Sequence, residues 1–285
     1  MVLQAFVFGL TISLIYLLMA IGLTLIFGIL HIINLAHGEF YMIAATITFL
    51  LARELGFHLV AAAVTAAMFV CLLAIMVEKG LLWPLRANFL RLVLGITGVQ
   101  LVLQGSALLS SGKFSEKYLS FPIAGSLSIF GAPVSYHRLT VISIATVLMA
   151  GLYLFLKFNR HGQAMYALEQ DAEGAALQGV NAARIRLLAM VVAGALAAVA
   201  GIAAGTLTTI THTMGAAPLV YGFTIVILGG IGSVPGCIIG AFIVGFVETY
   251  LSVFTNGEIA QMAVFSILIL TLYIRPGGLM GHEIR

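Results

Sequence analysis

The segment Ile33-Asn34-Leu35-Ala36-His37-Gly38-Glu39 places an amide, an imidazole and a carboxylate between two long apolar runs. Polar groups in that setting pair with a neighbour or line a water-filled path. At helical spacing Asn34, His37 and Tyr41 share one face, and Glu39 projects to another. Gly38 permits a chain break, whose freed backbone groups are tolerated only under protein or beside a cavity. Asn34 and such a backbone suit the binding or passage of a zwitterionic solute. The plainer alternative is a short turn whose polar groups meet the lipid headgroups. A second segment, Gly229-Gly230-Ile231-Gly232-Ser233-Val234-Pro235-Gly236, also reads two ways. Gly232, Gly236 and Gly240 repeat every fourth residue, which suits a close-packing seam. Gly and Pro interruptions also mark hinges and substrate-lining turns, where helix ends offer N–H groups to a carboxylate. Glu248 is an acid deep in an apolar run and must be paired or protonated there. An interhelical hydrogen bond or a substrate ammonium would each satisfy it.

None of these groups has catalytic spacing. His31 and His37 are six residues apart, with no H-E-x-x-H zinc helix and no G-x-S-x-G nucleophile elbow. The chain has no G-x-x-x-x-G-K-[ST], the usual loop for hydrolysing ATP. Cys71 and Cys237 each lie inside an apolar run and read as small buried hydrophobes, without metal-ligand spacing.

The elements that must position these groups are membrane spans. The chain has 285 residues, 62% hydrophobic and 8% charged, with a mean hydropathy of +1.16. A soluble domain carries about 25% charge, so a water-facing surface cannot be assembled from this composition. A spanning helix takes about 20 apolar residues, and the runs here are continuous rather than alternating, which argues against a barrel. The runs bracket spans near 5–30, 38–52, 59–78, 92–111, 140–156, 187–207, 219–233, 236–254 and 259–274. The seventh is short and Gly-rich, so the expectation is an all-α polytopic membrane protein. It has about eight transmembrane helices, from eight to nine apolar segments of which one is broken or re-entrant. A single transmembrane domain covers 1–285. The net charge of +3 makes no case for a nucleic-acid partner.

Basic residues orient the series. Lys79, Arg86 and Arg91, then Lys157, Arg160, Arg184 and Arg186, then Arg275 and Arg285 fall in three regions that span parity puts on one side. That side is expected to be cytoplasmic and holds nine of the thirteen basic residues; Arg53, Lys113, Lys117 and Arg138 are the exceptions. The outward loop 112–139, with Ser-Gly, Phe-Pro and Ala-Pro turns, reads as a structured cap or a plain connector.

The hydrophilic segment 157–186 lies on the basic side. Met165, Leu168, Ala172, Ala175 and Ala176 make a mixed apolar face at helical spacing. Glu169, Asp171 and Glu173 lie on or beside the opposing face, and Gly179 with Asn181 supplies a helix stop. One short amphipathic helix is expected, with small residues that favour close docking by another protein.

Gln163–Asn181 resembles the coupling-loop region of ABC-transporter permeases. The stretch 33–39 is similar to the I-N-F-A-H-G-E signature of the branched-chain amino acid permease family, and 228–236 to its G-G-I-G-S-I-P-G segment. Glu78 with Trp83-Pro84-Leu85-Arg86 resembles that family's inner-loop motif, and Arg275-Pro276-Gly277-Gly278-Leu279 its terminal R-P-x-G-L. The departures are Leu35 where Phe is common, and Leu219–Thr224 where a Lys often precedes the Gly-rich segment. The resemblance implies a permease subunit in a bacterial inner membrane, part of an ATP-driven importer for branched-chain or related amino acids. It further implies two separate ATP-binding subunits, a second homologous permease in a heterodimer and a periplasmic substrate-binding protein. ATP and Mg would be used by the partner subunits, with no cofactor or metal on this chain. In that reading Asn34, His37, Gly38, Glu39, Gly229, Gly230, Gly232, Ser233 and Glu248 lie on the substrate pathway. Glu169, Asp171, Ala175, Gly179 and Asn181 serve ATPase coupling. A secondary transporter or channel for a small polar solute such as urea is the alternative, and it leaves the docking segment unexplained.

Overall fold

A computed structural model describes residues 2–111, 119, 125–129 and 132–280. Its elements are helices α1 (Val2–Leu30), α2 (His37–Phe49), α3 (Leu59–Val77), α4 (Trp83–Leu85), α5 (Phe89–Ser111), α6 (Tyr136–Phe158), α7 (Arg160–Gln170), α8 (Ala172–Leu177), α9 (Ala182–Gly205), α10 (Ala216–Gly229), α11 (Val234–Phe254) and α12 (Gly257–Ile274). One hairpin, β1 (Ser126–Ile129) and β2 (Ala132–Ser135), pairs antiparallel with Leu127 opposite Val134. π-helical turns extend α2 through Leu50–Glu54 and join α3 to α4 through Glu78–Leu82.

Among the described residues, seven helical stretches are long and apolar enough to cross a membrane. Two apolar helices, α2 and α10, are shorter, at 13 and 14 residues. All nine coincide with the expected spans to within a few residues. The third segment runs on to Leu85, because the π turn keeps the backbone helical past Lys79 where an inner loop was expected.

α1 runs through the centre of the bundle and is buried continuously from Ser13 to Ile26. A helix apolar on every side has no face to give to water, so it is packed all round. α9 is the second central helix. Its small residues at Ala189, Ala193, Ala197, Gly201 and Ala204 let α1, α2 and α3 approach closely. The closest approach is Gly201, where an added methyl group would strike the Tyr41 carbonyl. Gly201→Ala is therefore expected to lower the detergent stability of the purified chain by about 1–3 kcal/mol, the usual cost of overpacking. Thermal inactivation followed by size-exclusion chromatography reads it.

Outer helices reverse the soluble pattern. On α3, Ala62, Ala66, Val70 and Ala74 face the bundle, while Val60, Val64, Met68, Leu72 and Met76 form an exposed row of large side chains. Small residues inward allow helix contact, and large apolar ones outward meet lipid. Lys113, Lys117 and the Phe121-Pro122 turn lie outside the described residues. The described part of the loop between α5 and α6 is structured: besides the hairpin, the Leu119 amide donates to the Gly205 carbonyl at 2.9 Å, and Leu119 packs with Phe49 and Ile210.

Candidate translocation site and coupling segment

Residues 31–36 leave the end of α1 and turn back into the bundle. Asn34 stabilises this non-helical stretch: its Oδ1 accepts from the Ala36 amide at 3.1 Å, and its carbonyl accepts from the His37 amide at 3.2 Å. The side chain is buried, with Nδ2 directed at the Met190 sulfur. Because Asn34 precedes the helix, it does not share a helical face with His37 and Tyr41, as uniform helical spacing had suggested. α2 begins inside the protein. His37 is fully buried, and a methyl group at Gly22 would lie 2.8 Å from its Nε2. Gly22 is eight residues from the end of α1, roughly 12 Å at the helical rise. The segment thus starts at the end of α1, where His31 and Ile33 are exposed, and turns back so that α2 begins inside the bundle.

The start of α10 meets the start of α2 at this level. A methyl group on Gly38 would lie 2.7 Å from the Gly215 carbonyl oxygen, and one on Gly215 would strike the Gly38 carbonyl. Neither helix has a side-chain N-cap. α6, α7, α8, α9, α11 and α12 are capped by Ser135, Asn159, Asp171, Asn181, Ser233 and Asn256. Two helix N-termini without side-chain caps, each a partial positive charge, therefore converge inside the membrane domain; their first amides are held locally, Ala36 and His37 by Asn34, Glu39 by the Ala36 carbonyl and Ala216 by the Thr213 carbonyl. Glu39 sits in the first turn of α2, buried, with Oε1 accepting from Gln104 Nε2 at 2.8 Å. Gln100 stands one turn away on the same α5 face. Gly215, Gln100 and Gln104 were missed in the sequence. Two glutamines four residues apart in an apolar span were the available signal, whereas Gly215 belongs to no motif.

The glycine-rich segment is placed elsewhere, at the basic end of the bundle. Gly229 and Gly236 are in backbone contact, and Gly230 and Gly232 adopt positive φ of 100° and 82°. Ser233 caps α11 by accepting from the Gly236 amide at 3.1 Å. The tail folds over the turn, with the Leu279 amide donating to the Leu228 carbonyl at 2.8 Å. Gly229, Gly230, Gly232 and Ser233 therefore form a tight packed turn away from the Gly38–Gly215 contact. Glu248 is near the opposite end, lining a cavity of about 210 Å³ with Arg138, Thr208 and Ser252. The Arg138 guanidinium lies over the Phe8 ring at 3.1 Å.

The hydrophilic segment is two helices, not one. Asp171 ends α7 in an extended conformation and caps α8, its Oδ1 accepting from the Glu173 and Gly174 amides at 3.0 Å. Gly179 supplies the stop with φ of 83°, and Asn181 caps α9 through the Arg184 amide at 3.1 Å. Ala175 is buried with Met165 and Leu168 rather than presented for docking. Leu177 is the exposed residue, at 88%. Glu169 departs from the expected solvent face: it turns inward, between α1 and the glycine turn. A methyl group at Gly28 would meet its Oε1 at 2.6 Å, and one at Gly232 would strike the same oxygen. Burial there raises its carboxyl from 4.5 to about 7.

A bundle of long apolar helices defines a multi-pass membrane protein. Residues 5–272 match the family described as branched-chain amino acid transport system / permease component, and the chain belongs to that family. It is 31% identical over 292 residues to the high-affinity branched-chain amino acid transport system permease protein LivH of Escherichia coli, covering 96% of this chain and 94% of that one. The Pseudomonas aeruginosa permease BraD, of the same description, is 32% identical over 98% of this chain and 96% of its own. The ribose import permease RbsC of Haemophilus influenzae is 28% identical over 69% of this chain and 60% of that one. Among solved structures, PsaBC from Streptococcus pneumoniae shares the fold with a TM-score of 0.54 at 13% identity, over 95% of this chain and 91% of that one.

Proposed function

We propose that this chain is the membrane-spanning permease subunit of an ATP-driven importer for branched-chain or related amino acids in a bacterial inner membrane. Its partners are two ATP-binding subunits that use ATP and Mg, a second homologous permease, and a periplasmic substrate-binding protein. The basic end faces the cytoplasm by the positive-inside rule. The observation that carries this reading is the seating of Glu169. The segment that exposes Leu177 to a cytoplasmic partner is keyed, through one carboxylate, to Gly28 just before the α1 break and to Gly232 just before α11. A push on α7 and α8 is thereby delivered to both elements. Access switches where α2 and α10 meet. There the positive ends of two helix dipoles favour the amino acid's carboxylate, while Glu39, held by Gln104, offers an acceptor to its ammonium.

Leu177→Asp tests the docking surface. Burying a leucine contributes about 1.5–3 kcal/mol, so the variant is expected to bind the ATPase subunits at least tenfold more weakly. Co-purification from membranes at matched expression reads this, and undiminished recovery of the ATPase would contradict the coupling role.

A further inference from the structure

A second polar pocket, of about 300 Å³, opens at the basic end between α1, the α3–α4 junction and α9. Substrate passage and coupling make no use of it, yet several departures from ordinary structure meet there. Its wall includes the π turn Glu78–Leu82, a feature frequent at functional sites. Its rim includes His31, a non-glycine residue with φ of 56°, in the sparsely used left-handed region. Glu78 is only 4% exposed, and its Oε2 has no hydrogen-bond partner. Arg186 Nε is also buried without one. The Arg86 and Arg186 guanidinium groups lie 3.6 Å and 5.0 Å from the Trp83 ring centroid. Trp83 itself is 40% exposed.

Buried polar atoms of this kind cost free energy unless something completes their hydrogen bonding. The pocket offers two guanidinium groups and one carboxylate, which fits a ligand carrying a phosphate and an ammonium. Its depth selects the source. It lies at the end of a lipid-facing helix, and the exposed row Val64, Met68, Leu72 and Met76 leads down α3 toward it. Tryptophan at a span boundary marks the headgroup level, and basic pockets between helices on the cytoplasmic side hold lipid headgroups.

We propose that this pocket binds the headgroup of phosphatidylethanolamine from the adjacent leaflet, with the phosphodiester between Arg86 and Arg186 and the ammonium on Glu78. A headgroup with phosphate but no amine would leave the Glu78 carboxylate buried beside a second anion, an arrangement that is disfavoured. Choline would bring a cation that cannot donate a hydrogen bond to Oε2.

Trp83 is the single tryptophan of the chain, so its fluorescence reports this site alone. The full-length chain is placed in phosphatidylcholine vesicles containing an equal minor fraction of acyl-brominated phosphatidylethanolamine, phosphatidylglycerol or phosphatidylcholine. Brominated phosphatidylethanolamine is expected to quench Trp83 several-fold more than either other lipid. Glu78→Gln should reduce that quenching to the phosphatidylcholine level and leave phosphatidylglycerol unchanged, whereas Arg186→Gln should weaken both phosphatidylethanolamine and phosphatidylglycerol. Equal quenching by all three lipids in the unmodified chain overturns the proposal, as does a preference for phosphatidylglycerol. Recovery of fluorescence on adding soluble glycerophosphoethanolamine at low concentration overturns the lipid source. The three-lipid comparison decides even where a variant fails to fold.

Discussion

Gly215→Ala and Gly38→Ala are each expected to reduce amino acid uptake by roughly five- to hundredfold while leaving the chain in the membrane, because overpacking a close contact costs about 1–3 kcal/mol. At Gly38 the added methyl would sit 2.7 Å from the Gly215 carbonyl oxygen and 3.1 Å from the Leu219 Cβ; at Gly215 it would strike the Gly38 carbonyl. Both neighbours are backbone or packed side chain, so neither can move without shifting the start of a helix. Such a shift also moves the positive helix ends proposed to favour the substrate carboxylate. Uptake into proteoliposomes, normalised to inserted protein, measures the effect. Gly105, which has open space where a side chain would go, is the control. Gly105→Ala should transport normally, and equal loss at Gly105 would reduce the result to general intolerance of substitution.

Gly232→Ala should separate ATPase docking from transport. Its φ of 82° disfavours any side chain, and the added methyl would evict the Glu169 carboxylate from its seat. The docking residue Leu177 is untouched, so ATPase subunits should still co-purify while uptake falls by more than about tenfold, given roughly 1–2 kcal/mol for a non-glycine residue in this conformation and a further 1–3 kcal/mol for overpacking. Glu169→Gln keeps the shape and removes the titration. The Glu169 carboxyl has its pKa raised by burial from 4.5 to about 7, so between those values the folded chain holds a proton that the unfolded chain has released. The stability it contributes is full below about pH 4.5 and is lost as pH rises through 7. Thermal midpoints measured from pH 5 to 8 should therefore fall more steeply for the unmodified chain than for Glu169→Gln. Parallel profiles would show that the carboxylate is not buried in this seat.

The spans were legible because lipid leaves only one workable pattern, a continuous apolar run, and nine of them could be bracketed from composition. What lay within a run was harder to read. The runs on either side of residues 31–36 were bracketed as separate spans, but helical spacing put Asn34 on the face of His37 and Tyr41, because periodicity does not register where the helix begins. Gly38 was visible as a breaker, but its partner Gly215 follows an unremarkable Thr- and Met-containing loop and emerged only from the packing. Asp171 looked like one more solvated acid of a single docking helix, since a cap and a surface carboxylate are the same residue type until the backbone turns. Glu169 was assigned to solvent by its place on the helical wheel. Two glycines, on α1 and before α11, create the space that draws it inward, and no local rule links positions so far apart in the chain.

The most direct measurement is ATP-driven uptake. The chain is reconstituted with its cognate second permease and ATP-binding subunits in proteoliposomes, with the ATP-binding domains facing an ATP-loaded lumen and the substrate-binding protein outside. Radiolabelled leucine should accumulate only with Mg-ATP inside and binding protein outside, and Leu177→Asp should abolish accumulation. Leucine entry at the same rate without ATP, or driven by an ion gradient alone, would contradict an ATP-driven permease.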